Sequence, residues 1–251
     1  MKPAKMKRIF LAGVIPFLMF TLSAEGQEPS DAIGYCHRGY THQEAGRLDE
    51  AIADYSKAIE MKPDYAEAYN NRGLLYARKN RIDDAIFDYI KAIELDPEYA
   101  EAFNNRGIAY REQGRIDEAI ADYSRALEIK PRYAEAYNNR GFAYAKKGMY
   151  DEAIADYTSA IEVKPDFILA FTNRGTAYYE KGLYEEAITD YSKVIEINPQ
   201  HAEAYNNRAI AYYQKQDFDK ALADAEKAQA LGFKVSPDFI KALQQAAEKK
   251  K

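Results

Sequence analysis

Residues 66–99 read AEAYNNRGLLYARKNRIDDAIFDYIKAIELDPEY, and similar sequences precede and follow this stretch. Its closing proline recurs with a spacing of 34 residues, at positions 63, 97, 131, 165 and 199. The motif YNNRG at 69–73 returns as FNNRG at 103–107, YNNRG at 137–141, FTNRG at 171–175 and YNNRA at 205–209. A fixed period of this length is typical of a stack of small units, each of which buries its apolar face only against its neighbours.

The first half of each unit is predicted to be a helix that ends in a tight turn. Tyr69, Gly73 and Tyr76 lie four and three residues apart, which places them on one stripe of a helix. Asn80 then occupies the turn, and asparagine tolerates the left-handed conformation that closes a helix. Glycine holds the matching place in other units, at Gly46, Gly114, Gly148 and Gly182.

The second half is predicted to be another helix, antiparallel to the first. Ala85, Tyr89 and Ala92 form its stripe, and Pro97 stops it because proline cannot continue a helix. We expect Gly73 to face Ala85, so that the two helix axes approach closely. The tyrosines are then expected to fill the space toward the neighbouring unit.

These units resemble the tetratricopeptide repeat, whose signature is an aromatic residue, Leu-Gly, Tyr, Ala, Phe and a closing Pro. The resemblance extends from Ala32 to about Val235, with Tyr or Phe at most of the first aromatic positions. It implies an all-α fold, a right-handed superhelical solenoid of six helix-turn-helix repeats with a C-terminal capping helix. The repeats are assigned to residues 32–65, 66–99, 100–133, 134–167, 168–201 and 202–235, and the capping helix to 236–251.

The capping helix is expected to cover the open end of the stack. Ser236 is a residue type that caps helix N-termini, and Pro237 fits the first turn that follows. Phe239, Ile240 and Leu243 would then lie against the last repeat.

One departure from the family pattern is systematic, because arginine stands where the pattern has leucine before glycine. A cation at a core position needs a partner, since an unpaired buried charge is very costly. We predict structural ion pairs between the helices, with pairing across adjacent repeats left open; ligand binding by the arginines is the alternative. The two rows are Arg38, Arg72, Arg106, Arg140, Arg174 and Arg208, and Asp54, Asp88, Asp122, Asp156, Asp190 and Asp224.

A second stripe of each first helix carries asparagines, and in the tetratricopeptide fold this stripe lines the inner groove of the superhelix. An amide offers a donor and an acceptor, so it satisfies the backbone of an extended peptide whatever that peptide's side chains are. The rows resemble the asparagine ladder that holds peptide backbone in the O-linked N-acetylglucosamine transferase. The alternative is that each asparagine bridges neighbouring helices. One row is Asn71, Asn105, Asn139, Asn173 and Asn207; the other is Asn70, Asn104, Asn138 and Asn206, interrupted by Thr172.

Glutamates on the same stripe bear on the kind of partner. They would repel a terminal carboxylate, which disfavours the function of the cochaperone subgroup, and they favour a partner segment with some Lys or Arg. A solvated charged rim is the alternative. The formal net charge of −5, without basic clusters in the repeats, argues against nucleic acid or an anionic membrane as the main partner. The glutamates are Glu67, Glu101, Glu135 and Glu203.

The first 24 residues stand apart from the repeats. Four basic residues and no acidic one precede an uncharged, mostly apolar run at 9–24 that ends in small residues. This pattern is typical of a secretory signal peptide at 1–24, followed by a short linker at 25–31. We expect an exported, periplasmic or secreted protein that no longer contacts the membrane and has a net charge of −9, since the four lost charges are basic. Retention through residues 9–24 as a membrane anchor is the alternative.

Motifs for catalysis, cofactors or metal ions are not found in the sequence. His37, His42 and His201 are the only histidines, and no Ser/His/Asp grouping, phosphate loop or metal-ligand spacing accompanies them. Cys36 is the only cysteine, which allows no internal disulfide. We therefore predict a non-catalytic scaffold that holds an extended peptide and assists assembly of an envelope or secreted complex. The alternative is a structural spacer or a self-associating homo-oligomer without a dedicated peptide ligand.

Overall fold

The structure is a computed structural model that describes residues 28–249. These residues form thirteen α-helices and no strand. The helices are α1 Ala32–Glu44, α2 Leu48–Met61, α3 Ala66–Arg78, α4 Ile82–Leu95, α5 Ala100–Glu112, α6 Ile116–Ile129, α7 Ala134–Lys146, α8 Tyr150–Val163, α9 Ile168–Glu180, α10 Tyr184–Ile197, α11 Ala202–Gln214, α12 Phe218–Ala230 and α13 Pro237–Lys249. The predicted signal peptide at 1–24 and residues 25–27 of the linker lie outside the described residues, as do residues 250 and 251.

Consecutive helices pack as pairs, and each pair packs against the next pair along the chain. The odd-numbered helices from α3 to α11 also contact the next odd-numbered helix. Successive even-numbered helices within residues 28–249 lack contacts of that extent, so the stack curves with the odd-numbered helices on its concave side. The right-handed superhelical solenoid of six helix pairs and a capping helix, predicted from the sequence, is confirmed.

The turn inside each pair contains one residue with a left-handed backbone, as predicted. Asn80 has φ of 59°, and the four glycines at the matching places have φ between 73° and 77°. In the last pair Gln216 takes this place with φ of 59°. After each such residue the chain reverses; for example, the N–H of Arg81 donates to the carbonyl of Tyr76 at 2.8 Å. This bond satisfies one of the carbonyls left open at the end of a helix.

Close packing within a pair depends on a glycine and a tyrosine, a partner that the predicted approach of Gly73 to Ala85 did not include. The predicted approach itself is seen in the fourth repeat, where the Ala153 carbonyl oxygen lies 3.1 Å from the position of a Cβ on Gly141. A Cβ atom on Gly73 would lie 2.8 Å from Cε1 of Tyr89, so the ring occupies the space that glycine leaves empty. Tyr89 is thus buried against the first helix of its own repeat. The last pair changes both positions together, to Ala209 and Ala225, and both are fully buried. A smaller second residue makes room there for the extra methyl group.

The last helix covers the open end of the stack. Leu243 of α13 is fully buried in the core cluster of α11 and α12, and Phe239 and Ile240 pack against the same cluster. The ring of Phe239 also meets that of Tyr213 edge-on, with 5.6 Å between the centroids. Among residues 28–249, no helix combines the length and apolar character needed to cross a membrane.

Candidate functional site

The arginine and aspartate rows lie together in the structure. Within each helix pair, Nε of the arginine donates to Oδ2 of the aspartate at 2.7–2.9 Å, and Nη2 donates to Oδ1 at 2.6–2.9 Å. Every pair is therefore bidentate and joins the two helices of one repeat, and none joins adjacent repeats. The bonded residues are Arg38–Asp54, Arg72–Asp88, Arg106–Asp122, Arg140–Asp156, Arg174–Asp190 and Arg208–Asp224.

The third nitrogen of four arginines makes the bond that does span two repeats. Nη1 of Arg72, for example, donates to the hydroxyl of Ser56 in the preceding repeat at 3.0 Å. Ser124, Thr158 and Ser192 play the same part at 2.8–3.0 Å. Ile90 breaks this series, because an isoleucine side chain offers no acceptor to Arg106.

The aspartates of these pairs are almost fully buried, and the arginines are mostly buried. Burial raises the pKa of Asp122 above its ordinary value, and the hydrogen bond from Arg106 opposes that rise. The Arg72 guanidinium lies 5.7 Å from the centroids of both Tyr69 and Tyr76, so aromatic rings cover part of its remaining surface. All of these partners are internal, and the pairs contribute to the core of each repeat.

The two asparagine rows differ in burial. Asn70, Asn104 and Asn138 are buried, whereas the asparagines of the other row are half-buried. The Oδ1 atom of each buried asparagine accepts a hydrogen bond from Nδ2 of the half-buried asparagine in the next repeat. The bonds run from Asn105 to Asn70, from Asn139 to Asn104 and from Asn173 to Asn138, at 2.9–3.0 Å. The bridging alternative therefore describes the contacts of these three buried side chains, which are not accessible to a peptide.

The remaining asparagines lie at the two breaks in the row. Asn206 and Asn207 are half-buried and bond only weakly to each other, at 3.4 Å. No bridge reaches Asn207, because Thr172 holds the place of the buried asparagine and donates its hydroxyl to the Ile168 carbonyl. At the other end Cys36 holds that place and Asn71 contacts it.

Three asparagines of the half-buried row, Asn105, Asn173 and Asn207, line shallow clefts on the concave surface. Cleft 2/3, between the second and third repeats, is lined by Leu74, Ala77, Arg78, Tyr89, Asn105, Ile108, Ala109 and Glu112 and has a volume of about 230 Å³. Cleft 4/5 is lined by Phe142, Ala145, Lys146, Tyr150, Tyr157, Asn173, Thr176, Ala177 and Glu180 and has a volume of about 320 Å³. Asn207 lines a third cleft, of about 280 Å³, between the fifth and sixth repeats.

Sequence reasoning missed these clefts. The signal for them is a repeat position that holds Ala77 in one unit, Arg111 in the next and Ala145 in the one after. Small side chains at the two alanines leave space between successive odd-numbered helices. Arg111 fills the equivalent space, where its guanidinium lies 5.2 Å from the centroid of the Phe142 ring.

The predicted glutamates lie along the same surface. Glu67, Glu135 and Glu203 are exposed, whereas Glu101 is half-buried and accepts a 2.6 Å bond from Lys130. Burial would raise the pKa of Glu101, but the bond and charge of Lys130 hold it below its ordinary value. In the fifth repeat Leu169 stands at the place of the glutamate, and it is 51% exposed.

The described part of the chain holds no group of three or more His, Cys, Asp or Glu side chains arranged for a metal ion. Cys36 is buried, and burial raises the pKa of its thiol, which disfavours the reactive thiolate. His42 contacts the already paired Asp54, with 3.2 Å between Nδ1 and Oδ2.

Comparisons with known proteins agree with this architecture. Family profiles described as TPR repeat match residues 39–80, 73–114, 107–148 and 175–216. Profiles described as tetratricopeptide repeat match residues 134–167 and 202–232. No curated protein matches the chain.

Solved structures with this fold are numerous. YrrB, described as a TPR protein with an unusual peptide-binding site, is 27% identical with a TM-score of 0.62, covering 78% of this chain and 97% of its own. The MamA protein is 32% identical with a TM-score of 0.59, covering 68% of this chain and 94% of its own. PilW, a widely conserved type IV pilus biogenesis factor, has a TM-score of 0.74 at 20% identity, covering 85% of this chain and 98% of its own, and shows the fold alone. From the repeated helix pairs and the profile matches along most of its length, the chain belongs to the tetratricopeptide repeat family.

Proposed function

We propose that this chain is a non-catalytic scaffold whose concave surface holds an extended segment of a partner protein. The fold itself suggests a protein–protein interaction scaffold. The observation that carries the finer proposal is the state of Asn105, Asn139 and Asn173. Each uses one N–H to bond the neighbouring repeat, and its Oδ1 atom accepts no hydrogen bond from residues 28–249. These amides are thus held at regular intervals with an acceptor available for a peptide N–H.

Two further observations support a peptide ligand. Asn105 and Asn173 line clefts between the odd-numbered helices, so a peptide bonded to them has space for side chains close by. The similar protein YrrB is described as having a peptide-binding site. The exposed glutamates on the same surface favour a segment that contains Lys or Arg.

The experiment must separate peptide contact from stability, because the half-buried asparagines also bridge the repeats. One variant changes Asn105, Asn139 and Asn173 to alanine. The matched control changes Asn70, Asn104 and Asn138 to alanine, which removes the same three bridges but leaves the half-buried amides in place. We expect the first triple variant to lose capture of partner protein from the exported fraction and the control to keep most of it. Equal loss in both variants would show that the amides act through the packing of the stack.

The place of action is also part of the proposal. We propose export through residues 1–24, followed by assistance to assembly of an envelope or secreted complex. The basic and then apolar order of these residues supports it. Mass spectrometry of the protein from the exported fraction tests cleavage: a mass without the first 24 residues is expected, and an intact chain in the membrane fraction favours the anchor.

Self-association is a second candidate, favoured by exposed aromatic side chains. Phe87 on α4 is 57% exposed, although the other repeats have Ala or Thr at this place. Tyr40 in the first repeat is 55% exposed. Sedimentation at increasing concentration tests this candidate: a mass above one chain that returns to one chain in Phe87→Ala supports it, and a constant mass of one chain refutes it.

A further inference from the structure

Cleft 2/3 and cleft 4/5 are two copies of one site. Every residue that lines cleft 2/3 has its counterpart two repeats later in cleft 4/5, including the tyrosine from the even-numbered helix and the alanine from each odd-numbered helix. Tyr89 and Tyr157 reach the clefts from behind, between the odd-numbered helices. The two sites differ mainly at their outer edges, where Leu74 corresponds to Phe142 and Ile108 corresponds to Thr176.

The space between these two copies is filled by the chain itself. Arg111 stands at the place of the alanine and stacks on the ring of Phe142. The hydroxyl of the buried Tyr123 has no hydrogen-bond partner in the described residues. An extended ligand along the groove therefore meets an open cleft, a filled one and a second open cleft. From the second to the fifth repeat, the concave surface therefore has a pattern of two repeats rather than one. The cleft at Asn207 lies outside this pattern, because Tyr179 stands there at the place of the alanine.

Each open cleft has opposite charges on its two walls. Arg78 and Lys146 lie on the N-terminal walls, and Glu112 and Glu180 on the C-terminal walls. All four are exposed, and none forms an ion pair with another of residues 28–249. Nζ of Lys146 lies over the face of Phe142, 5.3 Å from the ring centroid. The charges are thus available to a ligand whose own charges have the complementary order.

We propose that the segment held in the groove carries two large apolar side chains, one for each open cleft. Each is flanked by an acidic residue facing Arg78 or Lys146 and by a basic residue facing Glu112 or Glu180. This proposal rests on the proposed function, because it presupposes a peptide in the groove. Apolar floors of tyrosine and alanine take the anchor side chains, and the charged walls set their flanking residues.

The test uses a phage-displayed library of random peptides, long enough to span four repeats, selected on the full chain. Selected peptides are synthesised, and their affinities are measured by fluorescence anisotropy. Ala77→Arg and Ala145→Arg fill one cleft each with the residue that the third repeat tolerates naturally at Arg111. Ala155→Arg, at an exposed position on α8 outside both clefts, adds the same charge and serves as the control.

We expect the selected peptides to share two large apolar residues at a constant separation. Ala77→Arg and Ala145→Arg should each weaken binding about 10- to 100-fold, the effect of losing one buried apolar side chain. Ala155→Arg should leave the affinity unchanged. Glu180→Lys should weaken binding of the same peptides. Exchange of the basic residue that flanks the apolar anchor in the peptide for an acidic one should then restore binding.

Two results would overturn the proposal, and they differ in what else they remove. If peptides bind the wild type and both cleft variants equally, the groove still holds a segment but the clefts are not its anchors. If no peptide with measurable affinity is selected, the proposed function fails as well. Arg111→Ala tests the proposal by opening a cleft instead of filling one. Selection on this variant should give peptides with a third apolar residue between the other two.

Discussion

Replacing Arg106 by leucine should destabilise the protein strongly, because it leaves a buried carboxylate without a partner. Asp122 is only 6% exposed, and its two oxygens accept bonds of 2.8 and 2.7 Å from Arg106 and from no other residue of 28–249. After the substitution the carboxylate must either take up a proton or draw water into the core. Either change lowers the free energy of unfolding, and neither is needed in the wild-type protein, where Arg106 pairs with the carboxylate.

The size of the loss follows from this burial. Removing one partner of a buried ion pair costs about 3–5 kcal/mol. Because the side chain of Arg106 is 18% exposed, water can reach the site, and we expect the lower end, about 3 kcal/mol. For a chain of this size the thermal midpoint should fall by roughly 6–12 °C. Urea and thermal unfolding, followed by far-ultraviolet circular dichroism, measure both quantities.

Two controls separate the lost pair from the lost arginine. The double variant Arg106→Leu/Asp122→Leu removes the orphaned carboxylate, so its stability should return to near that of the wild type. The deficit of the single variant should shrink as pH falls, because a protonated Asp122 buries no charge. A loss below about 0.5 kcal/mol in Arg106→Leu, the range of ordinary surface changes, would refute the pairing argument. So would a double variant as unstable as the single one.

Three further predictions concern packing and pH. Gly107→Ala should destabilise by about 1–3 kcal/mol, since the new Cβ would lie 2.7 Å from the Tyr123 ring; a midpoint equal to that of the wild type in thermal unfolding would contradict the contact. Deleting 236–251 should lower the urea midpoint or cause aggregation, because it uncovers the cluster that buries Leu243; an equally stable, monomeric truncation would refute the capping role. Burial raises the pKa of Tyr191 to about 12, above its ordinary value of about 10, so this tyrosine favours folding below about pH 10 and stability is lost as pH rises toward 12. Absorbance titration should show a group of tyrosines that ionises only together with alkaline unfolding, and a single transition near pH 10 would contradict it.

The fold could be predicted because the same pattern of helix, turn and helix recurs in six units of the sequence. The spacing of Pro97 from its counterparts gives the unit, and the left-handed turn at Asn80 follows from residue type. The capping helix follows from an apolar face at the C-terminal end of the stack, where the sequence supplies a further helix. These features depend on local rules, and the repeat averages out the errors of any single unit.

The contacts between side chains were harder to predict, because neighbouring positions on a helix differ only by its rotation. Asn70 and Asn71 are chemically identical, and the sequence does not say which of them faces the groove and which faces the next repeat. Glycine at 73 predicts a close approach but not the residue that makes it. The joint change to Ala209 and Ala225 was visible in the sequence and, interpreted as a coupled pair, would have identified the glycine–tyrosine contact.

The same hydrogen bonds that fix the stack also position the half-buried amides of Asn105, Asn139 and Asn173. A bridge such as Asn105 to Asn70 has one buried and one half-buried partner. Each repeat therefore sets the rotation of the next helix and, with it, the direction of the half-buried amide. Apolar packing alone is tolerant of small rotations, whereas a buried amide loses its bond when its partner turns away. Removing a buried asparagine should therefore make the spacing of the amides along the groove less regular, even where the helices remain folded. For a peptide that meets several repeats at once, such errors accumulate along the groove. The loss of affinity in the Asn70, Asn104 and Asn138 control should then grow with the number of repeats that a peptide spans, and equal losses for short and long peptides would contradict this coupling.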